Sequence, residues 1–129
     1  MKLPIETPRL VLREMAGSDW RAIDAYNRAP EFHRFLPIDP PDAEATQGFV
    51  QLCLARARAW PRRHYDAVIC ERVSAAVVGT LRLSLREPGV ADFGYAVRPD
   101  RWSRGYATEA VEALLAAAHT PLGLRKVWA

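Results

Sequence analysis

Residues 101 to 110, RWSRGYATEA, set one glycine between Arg104 and Tyr106 and then run straight into a segment of helical character. Where a strand hands over to a helix, the first backbone N–H groups have no partner inside the helix. The aligned peptide dipoles also leave about half a positive charge there. Such a place suits phosphate. Gly105 lets the backbone approach a bulky anion, and Ala107 keeps the next facing position small. A glycine at this kind of junction also serves as a plain turn, so the surrounding chain has to decide.

Other chemistry-bearing residues point to less. His33, His64 and His119 fall in different elements, and their spacing makes neither a metal site nor a triad. Cys53 and Cys70 form no CxxC pair, so both read as buried thiols rather than as a disulfide framework or zinc ligands. The net charge of +3 and pI near 9.2 come mainly from arginine, densest in ARARAW and PRRH. Residues 56 to 63 read as a solvated basic face. A basic surface attracts phosphates of any kind, but no aromatic-interleaved basic stripe or finger spacing supports a nucleic-acid partner.

The elements that must position these residues fit one domain, residues 1–129, half of whose residues are hydrophobic. No apolar run is long enough to cross a bilayer, and MKLPIETPRL lacks the apolar core of a secretion signal, so a cytoplasmic protein without a membrane partner is expected. RLVLREM (9 to 15) alternates like a half-buried strand after Pro8. In SDWRAIDAYNRA, Trp20, Ile23 and Tyr26 step round one helical face; Ser18 or Asp19 is the expected cap and Pro30 the expected stop. PIDPPD reads as a proline-rich turn, and Ala43 to Trp60 as a second helix broken by Pro61.

HYDAVICER (64 to 72), AVVGTLRLSLR (76 to 86) and VADFGYAVR (90 to 98) read as three antiparallel strands, with EPG a turn between the last two. Ala107, Ala110, Val111, Leu114, Leu115 and Ala118 then recur at helical spacing, and LRKVWA opens a further strand. Strand, helix and strand make a βαβ unit with parallel strands and a right-handed crossover.

ETPRLVLREM, VVGTLRL and DFGYAVRPDRWSRGYATEA together resemble the GNAT superfamily of acetyl-CoA-dependent N-acetyltransferases, nearest to the branch that acetylates ribosomal-protein N-termini. The resemblance spans about Ile5 to Ala129. It implies an α/β (α+β) fold with a mixed, mostly antiparallel sheet flanked by helices and a parallel βαβ unit at the coenzyme site. In this family the coenzyme A pyrophosphate lies on a loop of the form Q/R-x-x-G-x-G/A. Here Gly105 and Ala107 take the fourth and sixth positions, and Trp102 stands first.

The resemblance implies that backbone groups of Tyr95, Ala96 and Val97 pair with the pantetheine arm and that Ser103, Arg104, Gly105, Tyr106, Ala107 and Thr108 hold the pyrophosphate. Arg101 and Arg104 stand ready for outlying phosphates, and an N–H near Val97 for the thioester carbonyl. Asp92 matches the acidic position beside the acceptor and is the expected catalytic base. The implied reaction moves acetyl from acetyl-CoA, a cosubstrate, directly to a primary amine: a protein N-terminus or a small amine. Family members usually continue past the point matching Ala129 with a helix and further strands that carry the general acid. This chain is therefore expected to be truncated, with exposed Val127 and Trp128 inviting a homo-oligomer. The alternative expectation is a non-catalytic remnant that binds coenzyme A or self-associates. Loops around residues 30 to 42 are expected to select the acceptor.

Overall fold

The computed structural model describes residues 1–33 and 39–129. Six strands lie side by side in chain order: β1 (Ile5–Glu6), β2 (Leu10–Glu14), β3 (His64–Glu71), β4 (Val77–Glu87), β5 (Val90–Val97) and β6 (Lys126–Trp128). Every neighbouring pair is antiparallel except β5 and β6, which run parallel with Val90 opposite Lys126 and Asp92 opposite Trp128. The helix α4 (Tyr106–His119) makes the crossover between them. The mixed sheet and its βαβ unit are those the sequence predicts.

Side chains alternate across a strand, so each strand here feeds two cores. On one face Ile69, Leu81, Leu83, Ala91 and Val97 meet Tyr106, Ala110 and Leu114 of α4. On the other, Val68, Cys70 and Ala96 pack with α1 (Trp20–Asn27) and α3 (Ala43–Arg58) through Ile23, Tyr26, Val50 and Cys53. Both cysteines are buried free thiols. Leu81, Leu83, Ile69 and Leu114 are at most 1% exposed, and each such side chain contributes about 1.5–3 kcal/mol by leaving water.

Several local expectations change. Asp19 stands at the N-cap position of α1, as expected, but its side chain makes no cap hydrogen bond. Its buried carboxylate accepts from the Ala16 amide at 2.7 Å and from both Arg13 Nη atoms at 2.8 and 2.9 Å. Pro30 does not stop α1, which ends at Asn27; it opens the short α2 (Pro30–His33), a first-turn position where its missing N–H costs nothing. The second helix ends at Arg58, two residues before Trp60, and Asp42 caps its start by accepting from the Ala45 amide at 2.8 Å. Residues 56 to 63 are not simply solvated: Arg62 pairs with Glu14 at 2.8 Å and lies 4.3 Å over the Tyr65 ring. Pro37 and Ile38 of the proposed turn, like residues 34 to 36 of the acceptor loop, lie outside the described residues.

Candidate active site

The first site feature is an open strand edge. β5 pairs with β4 along its whole length, but with β6 only from Val90 to Asp92. Arg98 donates its amide to the Val78 carbonyl at 2.7 Å. Because successive residues of an antiparallel strand turn their N–H and C=O to alternate sides, Gly94 and Ala96 also face β4. Tyr95 and Val97 face the opposite, unpaired edge. The Trp102 indole reports that direction, donating to the Val97 carbonyl at 2.7 Å. The Val97 amide thus points into the opening beside β5.

β4 and β5 lie unusually close at this point. A Cβ on Gly79 would stand 2.3 Å from the Ala96 carbonyl oxygen, a contact that real side chains do not make. Glycine at position 79 is what keeps the Ala96 peptide in line.

The open edge leads to the start of α4. A 3-10 turn (Pro99–Arg101) follows β5; Ser103 then has φ +63° and Gly105, the residue preceding the helix, φ +78°. Both lie in the left-handed region that glycine adopts without penalty. No side chain bonds back to the first turn of α4 at its cap, so its leading amides remain available to an anion.

Two carboxylate networks hold this loop. Glu109 accepts from Arg9 Nε at 2.7 Å, from the Arg9 amide at 3.1 Å and from Thr7 Oγ1, while Arg9 Nη1 reaches back to the Arg104 carbonyl at 2.7 Å. Glu71, at the end of β3, accepts from Arg101 Nε at 3.1 Å and from the Tyr106 hydroxyl at 2.8 Å. The Arg101 and Tyr106 hydrogen bonds hold the Glu71 carboxyl down at about 2.

Between edge and loop lies an open cavity of about 450 Å³. Tyr95, Ala96 and Val97 form one wall, and Ser103, Gly105, Tyr106, Ala107 and Thr108 the other. The predicted coenzyme residues therefore converge, with two refinements. Ala96 contributes its side of the wall rather than backbone groups, which β4 uses. Arg104 lies outside the lining and is exposed; among the described residues it is engaged through its carbonyl. Arg101 does line the cavity, but its guanidinium is committed to Glu71 and Asp100. Sequence reading missed Arg9, Glu71, Glu109 and Phe32. Phe32 lines the cavity and meets Trp102 edge-on, ring centroids 5.8 Å apart. Only the fold brings Arg9, Phe32 and Glu71 to the loop, with Glu71 30 residues from Arg101 and Arg9 95 from Arg104, whereas Glu109 follows the loop directly.

Asp92 lies on the opposite face of β5, across from Ser84. Its carboxylate pairs with Arg86 and, at 3.5 Å, with Arg82. The Arg86 hydrogen bond, followed by the charges of Arg86 and Arg82, lowers its pKa against the opposing effect of burial. Along the same face, β3 carries Asp66 opposite Arg82, and Arg82 stands opposite Gly94.

Residues 9–129 match the acetyltransferase (GNAT) domain family. The chain is a member of the GNAT family. Among curated relatives, the uncharacterized N-acetyltransferase p20 of Bacillus licheniformis is 27% identical over 124 residues, covering 94% of this chain and 68% of that protein. Two solved acetyltransferase structures show the same fold. The ribosomal L7/L12 alpha-N-protein acetyltransferase RimL, in complex with coenzyme A, superimposes with a TM-score of 0.81 at 17% identity over 97% of this chain and 72% of its own. The microcin C7 self-immunity acetyltransferase MccE, in complex with acetyl-CoA and AMP, gives 0.78 at 11% identity over 94% and 68%. Acetyl transfer is the activity of this GNAT chain's family. Among the described residues, no helix is long and apolar enough to cross a membrane.

Proposed function

We propose that the protein transfers an acetyl group from acetyl-CoA to a primary amine, either a protein N-terminus or a small amine. One observation carries this reading: the unpaired edge of β5 at Tyr95 and Val97 runs directly into the anion-receptive start of α4. The residues fit the coenzyme. An extended, amide-bearing arm can add to a free strand edge as a further strand would, and the leading amides of α4 can take a diphosphate. The coenzyme complexes of RimL and MccE support the choice of ligand, and the name of RimL supports a protein N-terminus as acceptor.

Bound in this groove, acetyl-CoA supplies the thioester whose acetyl carbon the amine attacks. The chain's own groups do the rest. Gly105 and Ala107 keep the cradle free of side chains, and Ser103 to Thr108 turn their amides toward the phosphates. The Val97 amide, facing the open edge, is the donor placed to stabilise the acetyl oxygen as charge develops on it. The amine has to be neutral to attack. A lysine ammonium has a pKa near 10.4 and a chain terminus one near 8, so a proton acceptor on the far face of β5 speeds the reaction. Asp92 is the candidate from sequence for that task. Its engagement by two arginines and its lowered pKa make it a weak base.

The test is release of free thiol from acetyl-CoA in the presence of a panel of small primary amines and peptides with free N-termini, with the acetylated product identified by mass. Turnover with at least one class of amine is expected. Binding of acetyl-CoA without turnover across the whole panel would overturn the catalytic reading.

A further inference from the structure

On the α3 side of the sheet a second cavity, of about 290 Å³, opens among Met15, Phe49, Asp66, Arg82, Tyr95 and Ala96. Tyr95 and Ala96 line both this cavity and the coenzyme groove, so the two volumes meet across one stretch of β5. Among the described residues, Asp66 is the one carboxylate that lines it. Asp66 is 5% exposed, and among the described residues its Oδ2 is buried without a hydrogen-bond partner; the Cys53 thiol lies beside the carboxylate as a weak donor. The nearest cation, Arg56 of α3, stands 3.8 Å from Oδ1, beyond hydrogen-bond range. A buried carboxylate left this short of partners is costly, and folded chains keep few of them. The other acid on this face, Asp92, also leaves Oδ1 without a hydrogen bond, but Arg82 approaches that atom and Arg86 grips the other.

We infer that Asp66 is a catalytic residue of the acceptor side: it receives the amine entering this cavity and takes its proton, while Asp92 serves to hold Arg82 and Arg86 in place. The inference rests on the acetyl-transfer reading above for its electrophile. The register places Asp66 two strands from Gly94 in the same row, roughly 10 Å away at ordinary strand spacing. The cavity covers that interval. An amine at the Tyr95–Ala96 edge therefore passes its proton through cavity water to the carboxylate. In the balanced step the nitrogen lone pair forms the C–N bond and the C–S bond breaks. The amine's surplus proton passes to Asp66, and the sulfur, leaving with its electron pair, takes up one proton that cavity water returns from Asp66, so the carboxylate is regenerated and no hydroxide is left over.

The groups around Asp66 set its readiness to accept that proton. Burial raises its pKa; Arg56 and Cys53 of α3, His64 of β3 and Arg82 of β4 act in the opposite direction. His64, its ring against Ser84 Oγ at 2.9 Å, is itself shifted toward the neutral form by burial and then by Arg56. The Cys53 thiol is pushed up to about 12 by burial and by Asp66, so it stays protonated. The apolar walls from Met15, Phe49 and Ala96 suit a slim, unbranched stem behind the amine.

The test uses Asp66→Asn, Asp66→Glu and Asp92→Asn in the full chain, with n-hexylamine as the probe. Binding of hexylamine is measured by calorimetry without coenzyme, and acetyl-CoA binding is measured separately. Wild type is expected to bind hexylamine and Asp66→Asn about tenfold or more weakly; Asp92→Asn, which frees Arg82 at the cavity wall, is expected to weaken binding by less than Asp66→Asn does. With acetyl-CoA present, kcat/KM for hexylamine is expected to fall about a hundredfold in Asp66→Asn, and Asp66→Glu to recover part of it. The wild-type rate is expected to rise with pH through an apparent pKa above the ordinary aspartate value of about 3.9. That limb disappears in Asp66→Asn and persists in Asp92→Asn. Melting shows whether each variant is folded. Absence of hexylamine binding to wild type, unchanged binding in folded Asp66→Asn, or retention of its acid limb overturns the proposal. Loss of acetyl-CoA binding by wild type would sink the coenzyme reading alone, because the hexylamine arm contains no coenzyme.

Discussion

The two sides of β5 solve opposite problems. On the α4 side, the groove is proposed to bind through backbone amides, and its side chains are spent on holding that backbone: Glu109 and Glu71 are ion-paired and multiply hydrogen-bonded. On the α3 side, the cavity carries a buried carboxylate whose partners fall short of it. A satisfied carboxylate builds a scaffold, and an unsatisfied one is held ready for a proton or a cation. On the proposed reading, the contrast separates the positioning of a nucleotide-bearing cosubstrate from the handling of an amine.

The largest effect is expected where both sides share a backbone. Gly79→Ala sets a Cβ 2.3 Å from the Ala96 carbonyl oxygen, and neither strand can yield without disturbing the ladder. Overpacking of this kind costs about 1–3 kcal/mol, and a backbone obstacle puts it at the upper end. Chemical denaturation should show that loss, with both acetyl-CoA and amine binding impaired. Wild-type stability and binding would show that the β4–β5 approach is not what aligns the Ala96 peptide.

Arg9→Ala should affect one side only. It removes the Nε bond to Glu109 and the Nη1 bond to the Arg104 carbonyl while leaving the backbone amide bond to Glu109, and hydrogen bonds to charged groups contribute about 1.5–3 kcal/mol. Acetyl-CoA affinity measured by calorimetry should fall about tenfold, 1.4 kcal/mol, while amine binding stays unchanged. Equal losses on both sides would merge the two regions into one.

The pH dependence of stability should carry opposite signs on the two sides. Glu71 titrates near 2 when folded, below its ordinary value near 4.5, so its contribution is present above 4.5 and is lost as pH falls toward 2. Asp66 is shifted upward. Relative to its unfolded value of about 3.9, its contribution is complete below that pH and is lost as pH rises through the folded value. Denaturation midpoints across pH should therefore show Glu71→Gln less stable than wild type at neutral pH, with the gap closing in acid. Asp66→Asn should be at least as stable as wild type at neutral pH, with its advantage closing in acid. Gaps of the same sign would dissolve the contrast.

How much of this was legible in the sequence follows the same division. A backbone site leaves a trace where glycine must relieve strain, so Gly105 and the small Ala107 could be read directly, and the strand rhythm of VADFGYAVR predicted the wall they face. The supports could not be read. Arg9 and Glu71 look like ordinary solvent positions of alternating strands, and only the sheet order brings them to the loop. Asp66 was hidden in the same way, because HYDAVICER shows alternation but not that α3 will cover its polar position. Asp92 stood out through resemblance, yet its arginine partners are set by β4–β5 register. At Asp19 the carboxylate is spent on Arg13 and the Ala16 amide rather than on the first turn of α1.

The smallest expected effect tests how the groove tolerates Trp102 at the head of its loop. Trp102→Phe keeps the ring against Phe32 and loses only the indole bond to the Val97 carbonyl, about 1 kcal/mol. A several-fold rise in the acetyl-CoA dissociation constant should follow; no change would remove that bond from the groove's positioning.

The claim beneath all of these is that bare amides at the start of α4 and on the free edge of β5 hold the coenzyme. Amide nitrogen–proton spectra of the labelled protein, recorded while acetyl-CoA is added, address it without altering a residue. Saturable shifts concentrated at Tyr95, Val97 and Ser103 to Thr108 are predicted. Unmoved signals there, or shifts confined to residues around Asp66, would contradict it.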